Sequence, residues 1–426
     1  MINNSLLIKF ARVINPVNQF EDITDILIEN GKIALVEKNI KTKNVKTIDA
    51  SGLVAAPGLV DMHVHMRDPG QTHKEDINTG CAAAAAGGVT SVAVMPNTIP
   101  AADNPEVIKY ILEKSSHTGV KVYPISAVTK GQNGAELVDF DAMVKSGAIA
   151  FSDDGRPVEN ASIMLNAMKT ASKLNKIVIS HCEDMSLASG GIINEGESSA
   201  LLNVKGLSGA AEEVQVARDI ALSAHYNLPI HLAHISTKGS VELIRDAKQR
   251  GIQVTAETCP HYFCLSEALA LKCDADYRMN PPLRTFNDVR AIISALKDGT
   301  IDCIATDHAP HTAQEKADFF KAPNGVVGLE TSLAAAITYL VKPFHLSLNE
   351  VIKKMSYNPA QILGINAGTI NVGEAADIVL FNQEEQWKVE PNELHSKSKN
   401  TPFKGMNLFG KVKYTISDGV IIYNNI

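Results

Sequence analysis

The chain has 426 residues, 45% of them hydrophobic and 20% charged, with a formal net charge of −7. That length exceeds one ordinary domain and suits a barrel of about 250–300 residues with a smaller companion, while the apolar content excludes a disordered chain. The mild acidic excess excludes a nucleic-acid surface, which needs clustered Lys and Arg, and leaves a small molecule as the expected ligand.

The chain opens with alternating residues that predict short antiparallel strands, and Asn30-Gly31 between two apolar runs reads as a tight hairpin turn. Leu6-Leu7-Ile8 is interrupted at once by Lys9, too short for a signal peptide, and residues 80–96 are too rich in Ala, Gly and Thr for a membrane span. Six cysteines without a C-x-x-C pair predict reduced thiols, so a soluble, cytoplasmic protein is expected.

From residue 58 the rhythm changes to short β-rich runs alternating with helical stretches, the pattern of parallel strands joined by crossover helices. Eight such runs occur, at 59–65, 90–95, 121–125, 148–152, 177–181, 230–234, 253–257 and 301–307. Thr72 with Glu75 predicts one helix cap, and Asn104-Pro105 another; Gly87, Gly119, Gly147 and Gly251 are expected to terminate helices. After residue 365 the strand pattern returns, with a run at 376–381 and a hairpin turning through Ser417-Asp418-Gly419. The expected fold is therefore a TIM-like (β/α)8 barrel over 58–365, with a small β-sandwich domain formed from the terminal segments 1–57 and 366–426.

Barrel active sites form at the C-terminal ends of the strands, and most of these runs end in His, Asp or Glu. Asp61-Met62-His63-Val64-His65 puts two imidazoles on one strand face, within reach of one ion. His181, His234 and Asp307 end later runs, and the fourth ends in Asp153-Asp154-Gly155, which is good turn chemistry but also offers one carboxylate to bridge two metals. Four histidines and two carboxylates suit zinc in an open site, where water can be acidified and an amide carbonyl polarised. Asp307 is the best candidate to take a proton from the water and pass it to a departing nitrogen.

The same residues lie in motifs that resemble a known family. Asp61-Met62-His63-Val64-His65-Met66-Arg67-Asp68-Pro69-Gly70, Met95-Pro96-Asn97-Thr98, Asp153-Asp154-Gly155, His181-Cys182-Glu183-Asp184, His234-Ile235-Ser236-Thr237, Met279-Asn280-Pro281-Pro282-Leu283-Arg284 and Thr306-Asp307-His308-Ala309-Pro310-His311 resemble, in this order, those of the bacterial type I dihydroorotases of the amidohydrolase superfamily. The resemblance runs over about 50–365 and implies a barrel with a binuclear zinc centre. His63, His65 and Asp307 would bind one zinc and His181 and His234 the other. The strand that often supplies a bridging lysine in amidohydrolases ends here in two aspartates. Asp154 is the better bridging candidate and Asp153 the fallback.

The implied substrate carries a carboxylate. Arg67, two residues beyond His65 and expected on the same strand face, offers a guanidinium fork for it, and the family positions matching Asn97 and His311 join it, with Asn280 near the ring. Segment 311–328 follows the last strand and is expected either to close over the site as a mobile loop or to be a plain surface connection. The resemblance favours a homodimer and leaves open a complex with aspartate carbamoyltransferase. The competing readings are another cyclic-amide hydrolase, a dihydropyrimidinase or allantoinase, and a non-catalytic scaffold for that transcarbamoylase.

Overall fold

The structure is a computed structural model that describes residues 5–188 and 190–426; residues 1–4 of the expected N-terminal β segment lie outside the described residues. All eight predicted barrel runs form strands: β1 (Leu59–Val64), β2 (Val89–Val94), β3 (Lys121–Ser126), β4 (Ala150–Phe151), β5 (Ile179–Ser180), β6 (Ile230–Leu232), β7 (Val254–Thr258) and β8 (Cys303–Ile304). β1 to β4 pair in sequence and in parallel, as do β5 to β8. Two parallel bridges, Phe151 to Val178 and Val64 to His308, close the two seams into a ring. A helix packs outside each crossover because its apolar face must be buried against the sheet. Ile77, Cys81, Ile108 and Ile111 accordingly join Leu59, Val89 and Val92 in the outer core. Inside the ring, Val60, Met62, Ala93, Ile125, Ile179 and Cys303 meet, and Ala360 and Leu363 of the helix Tyr357–Leu363 join them.

The first crossover helix, Ile77–Ala86, starts later than its sequence implies. Its cap is Asp76, whose carboxylate accepts from Thr79 N, and not Thr72. The expected partner Glu75 is instead buried, with its carboxylate accepting from Thr79 and Ser396 hydroxyls and from Lys397 N. Asn104 caps Pro105–Ser115 as expected. Helices ending at Ala86, Lys145 and Gln249 stop just before Gly87, Gly147 and Gly251, whereas Gly119 lies beyond the turn that follows Ser115.

Strands Ser5–Asn15, Phe20–Glu29, Lys32–Glu37, Lys46–Asp49 and Val54–Pro57 share one sheet with Ile378–Lys388, Asn407–Ser417 and Val420–Asn424. The seam between the two ends of the chain is Val54–Pro57 antiparallel to Ile378–Lys388. Asn30 and Gly31 at φ 51° and 77°, and Asp418 and Gly419 at 46° and 75°, make the predicted hairpin turns. The sheet curls around its own core of Ile8, Ile26, Ile28, Ile33, Ile378 and Ile416 until those two turns touch; a Cβ on Gly31 would lie 2.9 Å from Asp418 O. Between the last two long strands, segment 389–406 leaves the sheet and crosses the loops at the barrel mouth, where Ser396, Lys397, Ser398 and Asn400 bond to residues 72–76 and 309–327. All six cysteines are free thiols, and no helix among the described residues is long and apolar enough to cross a membrane.

Candidate metal centre and substrate pocket

His63 is fully buried at the end of β1. Its Nδ1 lies 2.6 Å from Glu257 Oε1 on β7, so the ring donates there and turns its Nε2 toward Asp154 Oδ1 at 3.3 Å and Asp307 Oδ1 at 3.6 Å. His65 is oriented in the same way: Asn97 Oδ1 takes Nδ1 at 2.7 Å, and Nε2 faces Asp307 Oδ1 at 3.0 Å and Asp154 Oδ2 at 3.4 Å. Across the mouth, His181 Nδ1 and His234 Nε2 stand 3.3 and 3.5 Å from Asp154 Oδ1 and 2.7 Å from each other. Two imidazole lone pairs cannot face one another at that distance without a proton or a cation between them. The other nitrogen of His181, Nε2, meets Glu183 Oε2 at 2.9 Å, and the same oxygen accepts from Asn280 Nδ2.

Asp154 therefore faces all four histidines. Its neighbour Asp153 turns away and accepts from Val128 N at 2.8 Å, Thr129 N at 3.2 Å and the Thr129 hydroxyl, which fixes the loop after β3. Three site residues reach the mouth only through left-handed backbone: Arg67 at φ 58°, His234 at 36° and Asp307 at 48°. For Arg67 this replaces the expected placement on the strand. β1 ends at Val64, and the arginine reaches the site from the loop beyond it.

The charge pattern is that of a cation site. Burial works against an ionised Asp154, yet His63, His181 and His234 hold it well below the usual carboxylate range. Burial likewise opposes charge on His63, while Asp154 and Glu257 push it well above the imidazole range. His63 Nε2 and Asp154 Oδ1, which face each other across the cluster, are nevertheless buried without a hydrogen-bond partner. Orphaned buried groups of this kind are costly in an unliganded protein. His63 with His65 and Asp307, and His63 with Asp154 and His234, each bring nitrogen and oxygen donors within 4.8 Å of one another, and this donor set fits a divalent metal.

All the predicted site residues except His63 line one cavity of about 280 Å³. Arg67 Nε donates to Pro310 O at 3.2 Å, and its Nη2 lies 3.3 Å from His311 Nε2. His311 Nε2 lies 2.9 Å from Asn324 O and Nδ1 lies 3.4 Å from Lys74 Nζ, so the ring donates to the first and accepts from the second. Burial and the neighbouring Arg67, Lys74 and Lys316 push its pKa down to about 3, which leaves a neutral imidazole beside a fixed guanidinium. The ends of segment 311–328, at His311, Asn324 and Gly325, line this cavity, and its middle is docked on the protein. Phe319 is buried, and Lys316 Nζ donates to the carbonyls of Arg278, Pro323 and Gly325.

Sequence reasoning assigned no role to Glu257, Glu183 or Asn324. Glu257 carried the same signal as the chosen residues, a charged group ending a barrel run; Glu183 lay two residues past His181 in a quoted motif. Nothing local distinguished Asn324.

Comparison with known proteins agrees with this geometry. Residues 52–240 match a family described as dihydro-orotase-like, and residues 240–423 match the amidohydrolase family. Dihydroorotase from Acetivibrio thermocellus is 51% identical over 98% of both chains, and dihydroorotase from Geobacter metallireducens is 48% identical over 98% of this chain and 99% of its own. Among solved structures, L-hydantoinase (dihydropyrimidinase) from Arthrobacter aurescens superposes with a TM-score of 0.88 at 24% identity, covering 98% of this chain and 96% of its own, and shares the fold. Dihydropyrimidinase from Brevibacillus agri gives 0.85 at 25% identity, over 99% of this chain and 95% of its own. A full-length match near half identity, on a barrel whose mouth gathers these histidines and aspartates, places the chain in the dihydroorotase family of the amidohydrolase superfamily.

Proposed function

We propose that the chain catalyses the reversible hydrolysis of the cyclic amide of dihydroorotate to N-carbamoyl-L-aspartate, a step of pyrimidine biosynthesis, with two zinc ions per subunit. The observation that carries this reading is the placement of a buried histidine and aspartate cluster and the Arg67 guanidinium in one cavity, a metal-type site next to a site for a substrate carboxylate. His63, His65 and Asp307 would hold one ion, His181 and His234 the second, and Asp154 would lie between them. Bound there, zinc would supply an electrophile for the amide carbonyl and bring the pKa of water to about 7.

The protein's own residues do the rest. Arg67, Asn97 and His311 bind the substrate carboxylate, and Asn280 contacts the ring, so the amide carbon is held against the cluster. Asp307 takes the proton of the attacking water and delivers it to the ring nitrogen as the C–N bond breaks; ring closure runs the same transfer backwards. The reading extends to a cytoplasmic homodimer with aspartate carbamoyltransferase as its candidate partner, and to a division of labour in which the barrel 58–365 carries the chemistry beside a β domain formed from 1–57 and 366–426.

Side-by-side assays of dihydroorotate, dihydrouracil and allantoin test the reading: turnover of dihydroorotate is expected, and turnover of dihydrouracil alone, or none with full zinc, would overturn it. Arg67→Ala is expected to raise KM for dihydroorotate by about 10- to 100-fold, because a charged hydrogen-bonding partner of the carboxylate is lost, with a smaller change in kcat. An unchanged KM would remove Arg67 from carboxylate binding.

A further inference from the structure

We propose that Asn400, contributed by the C-terminal β segment rather than by the barrel, is a positioning residue that sets the spacing and orientation of the Arg67 and His311 pair. The inference rests on the reading of that pair as the carboxylate-binding groups.

Asn400 is buried and does not line the substrate cavity, yet its side-chain amide and its main-chain carbonyl are engaged with the loops that do. Its side-chain Oδ1 accepts from His311 N at 3.1 Å; its Nδ2 donates to Gly325 O at 3.0 Å and to Ala309 O at 3.3 Å; its main-chain carbonyl accepts from Val327 N at 3.0 Å. One side chain therefore ties residues 309–311 to residues 325–327. That tie falls where the main chain is short of donors, because Pro310 has no N–H and cannot extend the pairing that Ala309 N makes with Val326 O at 2.8 Å. The two stretches approach closely there: a Cβ on Gly325 would lie 2.8 Å from Ala309 O and 3.0 Å from the His311 ring. Without the amide of Asn400, Ala309 O loses its side-chain donor and Gly325 O keeps only Lys316 Nζ, at 2.9 Å.

The turn held by Asn400 carries both halves of the pair. His311 is its last residue, and Pro310 O is the acceptor that fixes Arg67 Nε. The same segment also fastens the loop from which Arg67 projects, since Ser398 Oγ donates to Lys74 O at 2.6 Å, Lys397 Nζ to Thr72 O at 2.7 Å, and the Ser396 hydroxyl to Glu75. Residues 396–400 thus span from the Arg67 loop to the His311 turn and determine how far apart the two groups stand. By contrast, none of the hydrogen bonds of Asn400 goes to the histidines or aspartates of the metal-type cluster. Its loss should act on substrate binding and leave the chemical step largely alone.

The test is steady-state kinetics of dihydroorotate hydrolysis by the zinc-loaded full chain carrying Asn400→Ala, Arg67→Ala or both, with zinc content and thermal unfolding measured on each. Asn400→Ala is expected to raise KM by about 10-fold while kcat stays within about threefold. In the Arg67→Ala background the same change should add less than about twofold, since a group that acts through the pair has little left to act on once the guanidinium is gone. A normal KM for Asn400→Ala beside a raised KM for Arg67→Ala overturns the inference alone, as does a fall in kcat at constant KM or full additivity of the two changes. A normal KM for Arg67→Ala overturns the underlying reading and the inference with it. Should Asn400→Ala fail to fold, Asn400→Asp is measured in its place. It is isosteric and keeps the acceptor for His311 N, but it sets an oxygen against Ala309 O and Gly325 O, and the same KM-directed loss is expected.

Discussion

Asp307→Asn is expected to hydrolyse dihydroorotate about 100- to 10,000-fold more slowly than the natural protein, the range for removing a general acid–base group, while keeping most of its metal. The substitution preserves shape and leaves one oxygen of the side chain for the cation, but it removes the group that can accept a proton. The setting favours that assignment. Asp307 Oδ1 lies 3.0 Å from His65 Nε2 and 3.6 Å from His63 Nε2, and the residue is held in left-handed backbone that turns its carboxylate into the cavity. Burial alone would neutralise it, but His65 and His63 hold its pKa below the ordinary carboxylate value. Measurement of kcat and of zinc per subunit on one preparation checks both halves. An undiminished kcat excludes Asp307 as the proton carrier; a low kcat accompanied by loss of the metal shows it to be only a ligand.

The second large effect is expected from Asp154. Asp154→Ala removes the carboxylate that faces all four histidines, and both zinc content and turnover should collapse. Loss of several kcal/mol of charge stabilisation in the transition state corresponds to a fall of about 1000-fold or more in kcat. Adding zinc to chelator-treated natural protein should restore activity, whereas adding it to Asp154→Ala should not. Asp153→Ala is the internal control. Its carboxylate serves Val128 N, Thr129 N and the Thr129 hydroxyl, so its removal is expected to cost about 1–3 kcal/mol of stability and to leave the zinc content intact. The opposite pattern, with metal lost from the Asp153 variant and retained by the Asp154 variant, would exchange the two roles.

Much of the architecture was legible because it is written in short-range chemistry. The parallel strands announce themselves as β-rich runs separated by helical stretches, and all eight lie where those runs lie. The hairpins at Asn30-Gly31 and Asp418-Gly419 follow from the positive φ that such turns require. His63 and His65 were recognisable from their spacing, and the later ligand candidates from charged residues that end apolar runs. Where local reasoning failed, another part of the chain had intervened. Thr72 and Glu75 looked like a helix cap, but Glu75 is drawn into the interior by Ser396 and Lys397, and the cap passes to Asp76. Strand alternation was expected to carry Arg67 into the site, yet the strand ends three residues earlier and a left-handed residue does the turning.

Sequence by itself determined which residue types stand at the barrel mouth, since hydrophobic periodicity locates the strand ends and the residues there are simply read off. Which of Asp153 and Asp154 faces the four histidines, the pairing of His63 with Glu257 and of His181 with Glu183, and the hold of Asn400 on the His311 turn were decided only by the tertiary structure. The physical reason is the same in each case. A buried polar group is directed by whichever partner can satisfy it, and here those partners come from other strands and loops, as far away as a segment that returns to the barrel from the C-terminal sheet.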